Sequence, residues 1–283
     1  MNFWVRMVEL FNTRMEMPPS YGTFHLVSIA ITILATVALC LLYKKIGDRG
    51  TRWVILAVSA VAILLEVYKQ IAYTFSVENG VVVSDYQWYA FPFQFCSVPM
   101  YIGLLAAMTK GKLHDCLCAF LASYAVFAGV CVMIYPGDVF STLVGINYQT
   151  MYCHGSMITL GVFLLAVGYV KAPHKAILRA MPVFAAAVGL AAIMNEVVYR
   201  SGILGDETFN MFFISPHFEG TLPVYSSVQQ VVPYPWCLIL YILVFSIAAY
   251  VILLIASGVR ALVERIRGKK QPQEAAEKET VAV

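Results

Sequence analysis

The sequence predicts an all-α, polytopic membrane protein: a bundle of seven transmembrane helices, with the amino terminus outside and the carboxyl terminus in the cytoplasm. Three observations predict it. Only 12% of the 283 residues are charged, against about 25% in soluble domains. Apolar runs of about 20 residues, the length that spans a bilayer core, recur along the chain. Lysine and arginine crowd every second loop, the pattern of a chain that crosses repeatedly.

Each element follows in order. Residues 1–23 form an amino-terminal segment in which "NFWVRMVELFNT" (2–13) mixes aromatics with Arg6 and Glu9 and reads as a short interfacial helix. No small-residue cleavage site follows it, so no cleavable signal peptide is expected. The transmembrane domain covers 24–260, with spans at 24–43, 53–74, 91–109, 115–135, 150–170, 176–199 and 235–259. None alternates with period two, so helices are expected rather than barrel strands. Residues 261–283 are a polar cytoplasmic tail, expected to be disordered. The longest outer loop, 200–234, is placed to cover an outward-facing cavity.

Orientation follows from the basic residues. Lys44, Lys45, Arg49 and Arg52 follow span one, Lys110 and Lys112 span three, and Lys171, Lys175 and Arg179 span five. The tail adds Arg260, Arg265, Arg267, Lys269, Lys270 and Lys278. The opposite side keeps Arg6, Arg14 and Arg200 beside acids such as Glu78, Asp85 and Asp206. The chain is therefore expected to be a multi-pass protein of the cell membrane. Its partners are membrane lipids. The net charge of +3 is too small to imply nucleic acid.

The seven cysteines are odd in number and lie in or beside apolar segments, which argues against a disulfide framework. No metal-ligand spacing occurs, and no cofactor is expected. His25 and His217 fall near the outer surface. His114 and His174 fall among basic residues and are expected to be solvated.

Counting 1.5 Å per residue along each span gives depth. Cys96 lies about 8 Å below the outer end of span three, with Gln94 above it. His154 lies a turn inside span five, Asn195 and Glu196 near the outer end of span six, and Glu66 and Lys69 in the outer half of span two. Polar groups in a bilayer are costly and face a bundle interior, paired or lining a cavity. Four helices sharing one polar layer predict one pocket. Glu66 with Lys69, and Glu196 with Arg200, also have the spacing of simple ion pairs.

A cysteine and a histidine at matched depth have the chemistry of acyl transfer. The imidazole takes the thiol proton, and the thiolate attacks an ester to form a thioester. Gln94 or Asn195 would supply oxyanion donors. In a membrane the ester at hand is a lipid acyl chain. Two other readings use the same residues. In one, Glu66, Lys69, Glu196 and His154 bind a solute or lipid, or relay protons, without catalysis. In the other, the polar groups only fix helix packing.

The stretches "YAFPFQFCSVPMYIGLL", "YPGDVFS", "QTMYCHGSMITLGVFLL", "FNMFFISPHF" and "PYPWCLILYIL" resemble, in this order over about residues 85–245, the YwaF-like bacterial integral membrane family. That family groups with an animal membrane protein that resembles a cysteine-dependent ether-phospholipid acyltransferase. The resemblance implies Cys96 as nucleophile, His154 as base and Asn210 as a pocket residue. Two positions depart from the family pattern. Gln94 stands where many members have histidine, and Cys153 where the first of two histidines is usual, which makes Cys153 a competing thiol.

Overall fold

A computed structural model describes residues 2–219 and 225–281. Among the described residues the regular elements are helices apart from one hairpin. Helix α1 (Phe3–Phe11) starts where the Asn2 side chain accepts from the Trp4 amide at 3.3 Å. It buries Val5 and Val8 and leaves Phe3, Trp4 and Leu10 exposed.

Helix α2 (Thr23–Ala72) carries the first two predicted spans and is broken at Gly47, whose φ of 56° is open to glycine at little cost. Contacts with helix α6 (Val144–Ala166) show the chain reversing there. Before the break, Thr32 lies against Gly155 and Thr36 against Thr159, in rising order. After it, Val58 meets Tyr152, Glu66 meets Gln149 and Tyr68 meets Gly145, in falling order. The two halves of α2 therefore run antiparallel beside α6.

Strands β1 (Phe75–Glu78) and β2 (Val81–Ser84) form an antiparallel hairpin that the sequence reading did not anticipate. Its two-residue turn, Asn79-Gly80, has positive φ at both positions, as a primed hairpin turn requires. The predicted span 91–109 is helical only from Val98 onward, in α3 (Val98–Met108). Pro92 cannot donate to a helix, and Pro99 suits only a first turn, so residues 91–97 form turns instead.

Residues Gly111–Ile134 form one long apolar helix, made of α4 (Gly111–Phe120), a π-helical turn (Leu121–Ala125) and α5 (Val126–Ile134). After α6 come α7 (Pro173–Ser201), the short α8 (Tyr225–Gln229) and α9 (Tyr234–Val281). The polar tail thus continues α9 as far as Val281, where disorder was expected; its Ala, Glu, Lys and Arg are strong helix formers. Among the described residues four helices are long and apolar enough to cross a membrane: Thr23–Ala72, Gly111–Ile134, Pro173–Ser201 and Tyr234–Val263.

The segments rich in basic residues meet at one end of the bundle. Arg52 donates to the Thr109 carbonyl, Arg179 pairs with Asp115, and the Tyr250 hydroxyl meets His174. His114, expected in solvent, is buried at this end. One ring nitrogen lies 2.7 Å from the Ala106 carbonyl and the other 2.7 Å from the Tyr169 hydroxyl, so its polar atoms are satisfied without water. The core between the ends is aromatic. Tyr124 stacks on Phe184 and Tyr241 on Phe245, each pair at 4.3 Å, and Phe95 stacks on Phe212 at 5.5 Å.

Candidate polar centre of the bundle

The turns at 91–97 interrupt a helix inside an apolar bundle, where every freed backbone group needs a protein partner. The Gln94 carbonyl accepts from Ser97 N at 2.8 Å and from Val98 N at 3.2 Å. The Pro92 carbonyl accepts from the Tyr101 hydroxyl at 3.0 Å. Gln70 Nε2 donates to the Ala90 carbonyl at 2.8 Å. This pairing holds the Cys96 backbone just ahead of the amino end of α3.

The Gln94 side chain points to a second irregular segment, 210–215. Its Nε2 donates to the Asn210 carbonyl at 3.1 Å, and its Oε1 accepts from Phe212 N at 3.0 Å. Asn195 does the same from α7: Met211 N donates to its Oδ1 at 2.8 Å, and its Nδ2 donates to the Met211 carbonyl at 3.0 Å. Asn210 Oδ1 accepts from Ser215 N at 2.8 Å. These three amides fasten a loop whose Phe212 and Phe213 both have positive φ. Phe209, Met211, Phe212 and Ile214 are fully buried, so this part of the loop sinks into the core; residues 220–224 of the predicted cover lie outside the described residues.

Asn195→Leu keeps the shape and removes both bonds, leaving the Met211 N–H without its partner and the Met211 carbonyl with the 3.4 Å bond from Ile214 N alone. Unfolding in detergent is expected to show a loss of roughly 1–3 kcal/mol. A loss within a few tenths would mean that the clamp contributes nothing.

A second cluster centres on Glu66. Its Oε1 lies 2.7 Å from Lys69 Nζ and accepts from Gln70 Nε2 at 2.8 Å. Its Oε2 accepts from Gln149 Nε2 at 3.3 Å, and the same amide reaches Cys153 Sγ at 3.4 Å. Tyr86 donates to Gln70 Oε1 at 2.8 Å. Glu66 and Lys69 do neutralise each other, as their spacing allows. Both cysteines are densely surrounded yet keep accessible surface.

His154 sits one residue on from Cys153 and is buried. Its Nδ1 lies 2.7 Å from the Thr150 carbonyl. A carbonyl only accepts, so the proton is on Nδ1, and Nε2 carries a lone pair. Nε2 has no hydrogen-bond partner among the described residues, although it is buried. No hydrogen bond joins Cys96 to His154 among the described residues.

Glu196 stands apart from both clusters. At the exposed end of α7 it pairs with Arg200 and with His217, whose Nε2 lies 2.7 Å away, while His217 stacks on Tyr199 at 3.6 Å. His25 is fully buried, its Nδ1 accepting from Tyr21 N at 3.0 Å. Among the described residues these polar side chains thus bond in three groups, around the 210–215 loop, around Glu66 and around Glu196.

Gln149 escaped that reading because the span was drawn from Thr150. Its signal was present: a buried polar residue one turn before Cys153 on an apolar helix has to find a polar partner. Among the described residues no three metal-ligating side chains come together.

Residues 20–254 match the sequence model of the TMEM164 family, and the chain belongs to that family. No curated protein and no solved structure matches it.

Proposed function

We propose that this TMEM164-family chain is an integral membrane enzyme that carries a lipid acyl group on Cys96, with His154 as the base. The observation that carries the reading is the buried Nε2 of His154, held as a free lone pair by the Nδ1–Thr150 bond. An orphaned polar atom in an apolar interior is costly, and a base awaiting a proton is a reason to keep one.

In this mechanism Nε2 takes the Cys96 thiol proton and the thiolate attacks the ester carbonyl of a phospholipid. The tetrahedral intermediate collapses to a thioester on Cys96. The departing lysolipid oxygen takes the proton back from Nε2. A second lipid hydroxyl, deprotonated by the same nitrogen, then attacks the thioester; the C–S bond breaks, the Cys96 thiolate takes the proton back from Nε2, and the acylated lipid leaves. Lys69 and the amino end of α3 are the groups placed to stabilise the thiolate. Cys153 is the weaker nucleophile candidate because its sulfur is already engaged by Gln149 within the Glu66 network. The same reading has seven spans and the basic end of the bundle in the cytoplasm, with membrane lipids as substrates.

Labelling of the purified protein in lipid with an alkynyl acyl thioester tests it. A hydroxylamine-labile label is expected on wild type and on Cys153→Ala, and none on Cys96→Ala. Label that follows Cys153 instead would move the nucleophile to α6. No label on any folded variant would sink the acyl-enzyme and favour a binding or transport protein built on Glu66 and Lys69.

A further inference from the structure

At the basic end of the bundle, far from the Glu66 cluster, α6, α7 and α9 enclose a cleft of about 300 Å³. Leu165, Val170 and Leu253 give it an apolar wall, while Lys171, Ser257 and Arg260 line it with polar groups, and among the described side chains no carboxylate lines it. Lys171 makes no ion pair among the described residues.

The backbone around the cleft is shaped to hold these groups. Gly168 has a φ of 72°, and a Cβ there would lie 2.3 Å from an Arg260 guanidinium nitrogen. Without that Cβ, the arginine lies across the α6–α7 connection and lines the cleft. Ala172 caps α7 without a side-chain hydrogen bond and holds a φ of 54°, a left-handed conformation that alanine disfavours. Strained residues of this kind gather at ligand clamps. Ala172 and Pro173 line the cleft, so the positive end of the 29-residue α7 faces it too.

We infer that this cleft binds a phosphate anion, supplied by the head group of an anionic phospholipid whose chains lie along Leu165 and Val170. Lys171, the Ser257 hydroxyl and the amino end of α7, with the Arg260 guanidinium beside them, match the several acceptor oxygens of a phosphodiester, and the adjacent apolar wall suits a lipid better than a soluble ion. The inference rests on the membrane placement of the chain and not on the acyl-transfer chemistry.

The test titrates the full-length protein in detergent with short-chain phosphatidylglycerol, short-chain phosphatidylcholine or inorganic phosphate. The unfolding midpoint and the lipid retained in native mass spectrometry are the readouts. Lys171→Gln/Arg260→Gln is compared with Lys175→Gln/Arg265→Gln, which removes the same charge outside the cleft. Phosphatidylglycerol is expected to stabilise wild type and the control pair, with its apparent affinity falling roughly tenfold in the cleft pair. Lys171→Gln alone, at an exposed loop position, gives the same comparison if the double variant does not fold. Inorganic phosphate acting alone on the cleft, with no lipid effect, would uphold the anion chemistry and assign its source to solution. Equal losses in the two pairs, or none in either, would overturn the site.

Discussion

His154→Asn is expected to slow acylation of Cys96 by about 10²–10⁴, the usual contribution of a positioned general base. Asparagine is the informative replacement because its amide can take over the Nδ1 bond to the Thr150 carbonyl, 2.7 Å away in the parent, while offering nothing at Nε2. The folded state should therefore be nearly unchanged. The rate should fall in the time course of thioester labelling, with the unfolding midpoint close to that of wild type. Imidazole added to the variant should restore part of the rate, because a small base can occupy the vacated space. Unchanged labelling kinetics would remove His154 from the chemistry and leave its lone pair without a role.

The second large effect concerns stability. Glu66→Leu strips Lys69 of its carboxylate partner, 2.7 Å away, and deprives Gln70 and Gln149 of an acceptor. Losing one member of a buried pair leaves an uncompensated charge, which costs about 3–5 kcal/mol. Unfolding in a detergent titration should show that loss. Glu66→Leu/Lys69→Met should recover most of it, since the double replacement leaves no charge to bury. Equal stability of the single and double variants would show that Lys69 reaches solvent, and that the pair does not act as an ion pair inside the bundle. Labelling of Cys96 in the double variant would add a separate result: a slower rate there would assign Lys69 a part in stabilising the thiolate.

Several features were legible without coordinates because they are local. A helix-breaking Asn79-Gly80 pair between β-branched runs carries the signature of the hairpin, although the reading passed over it. Pro92 and Pro99 mark the break ahead of α3 in the same way. The positions of Glu66 and Lys69, and of Glu196 and Arg200, allowed the ion pairs that form, since residues three or four apart share a helix face.

The division of the polar residues into groups was not legible. Gln94 and Asn195 were placed as oxyanion donors facing a pocket, and both instead bond the backbone of 210–212. Nothing around Gln94 in the chain names a partner more than a hundred residues away. His114 was assigned to solvent from its basic neighbours, but Ala106 and Tyr169 enclose it.

By itself the sequence determined a membrane protein of apolar helices, a concentration of positive charge in alternate loops, and a set of polar residues too costly to leave unpaired. Those properties depend on composition and spacing along the chain. Tertiary structure decided which groups pair: Gln149 with Glu66 and Cys153, Asn195 with Met211, and nothing with His154 Nε2. The physical reason is that a low-dielectric interior requires every polar group to be satisfied but does not specify by which partner. That choice belongs to the packing of helices, and it is why the unpartnered Nε2 of His154 becomes visible only once the helices are in place.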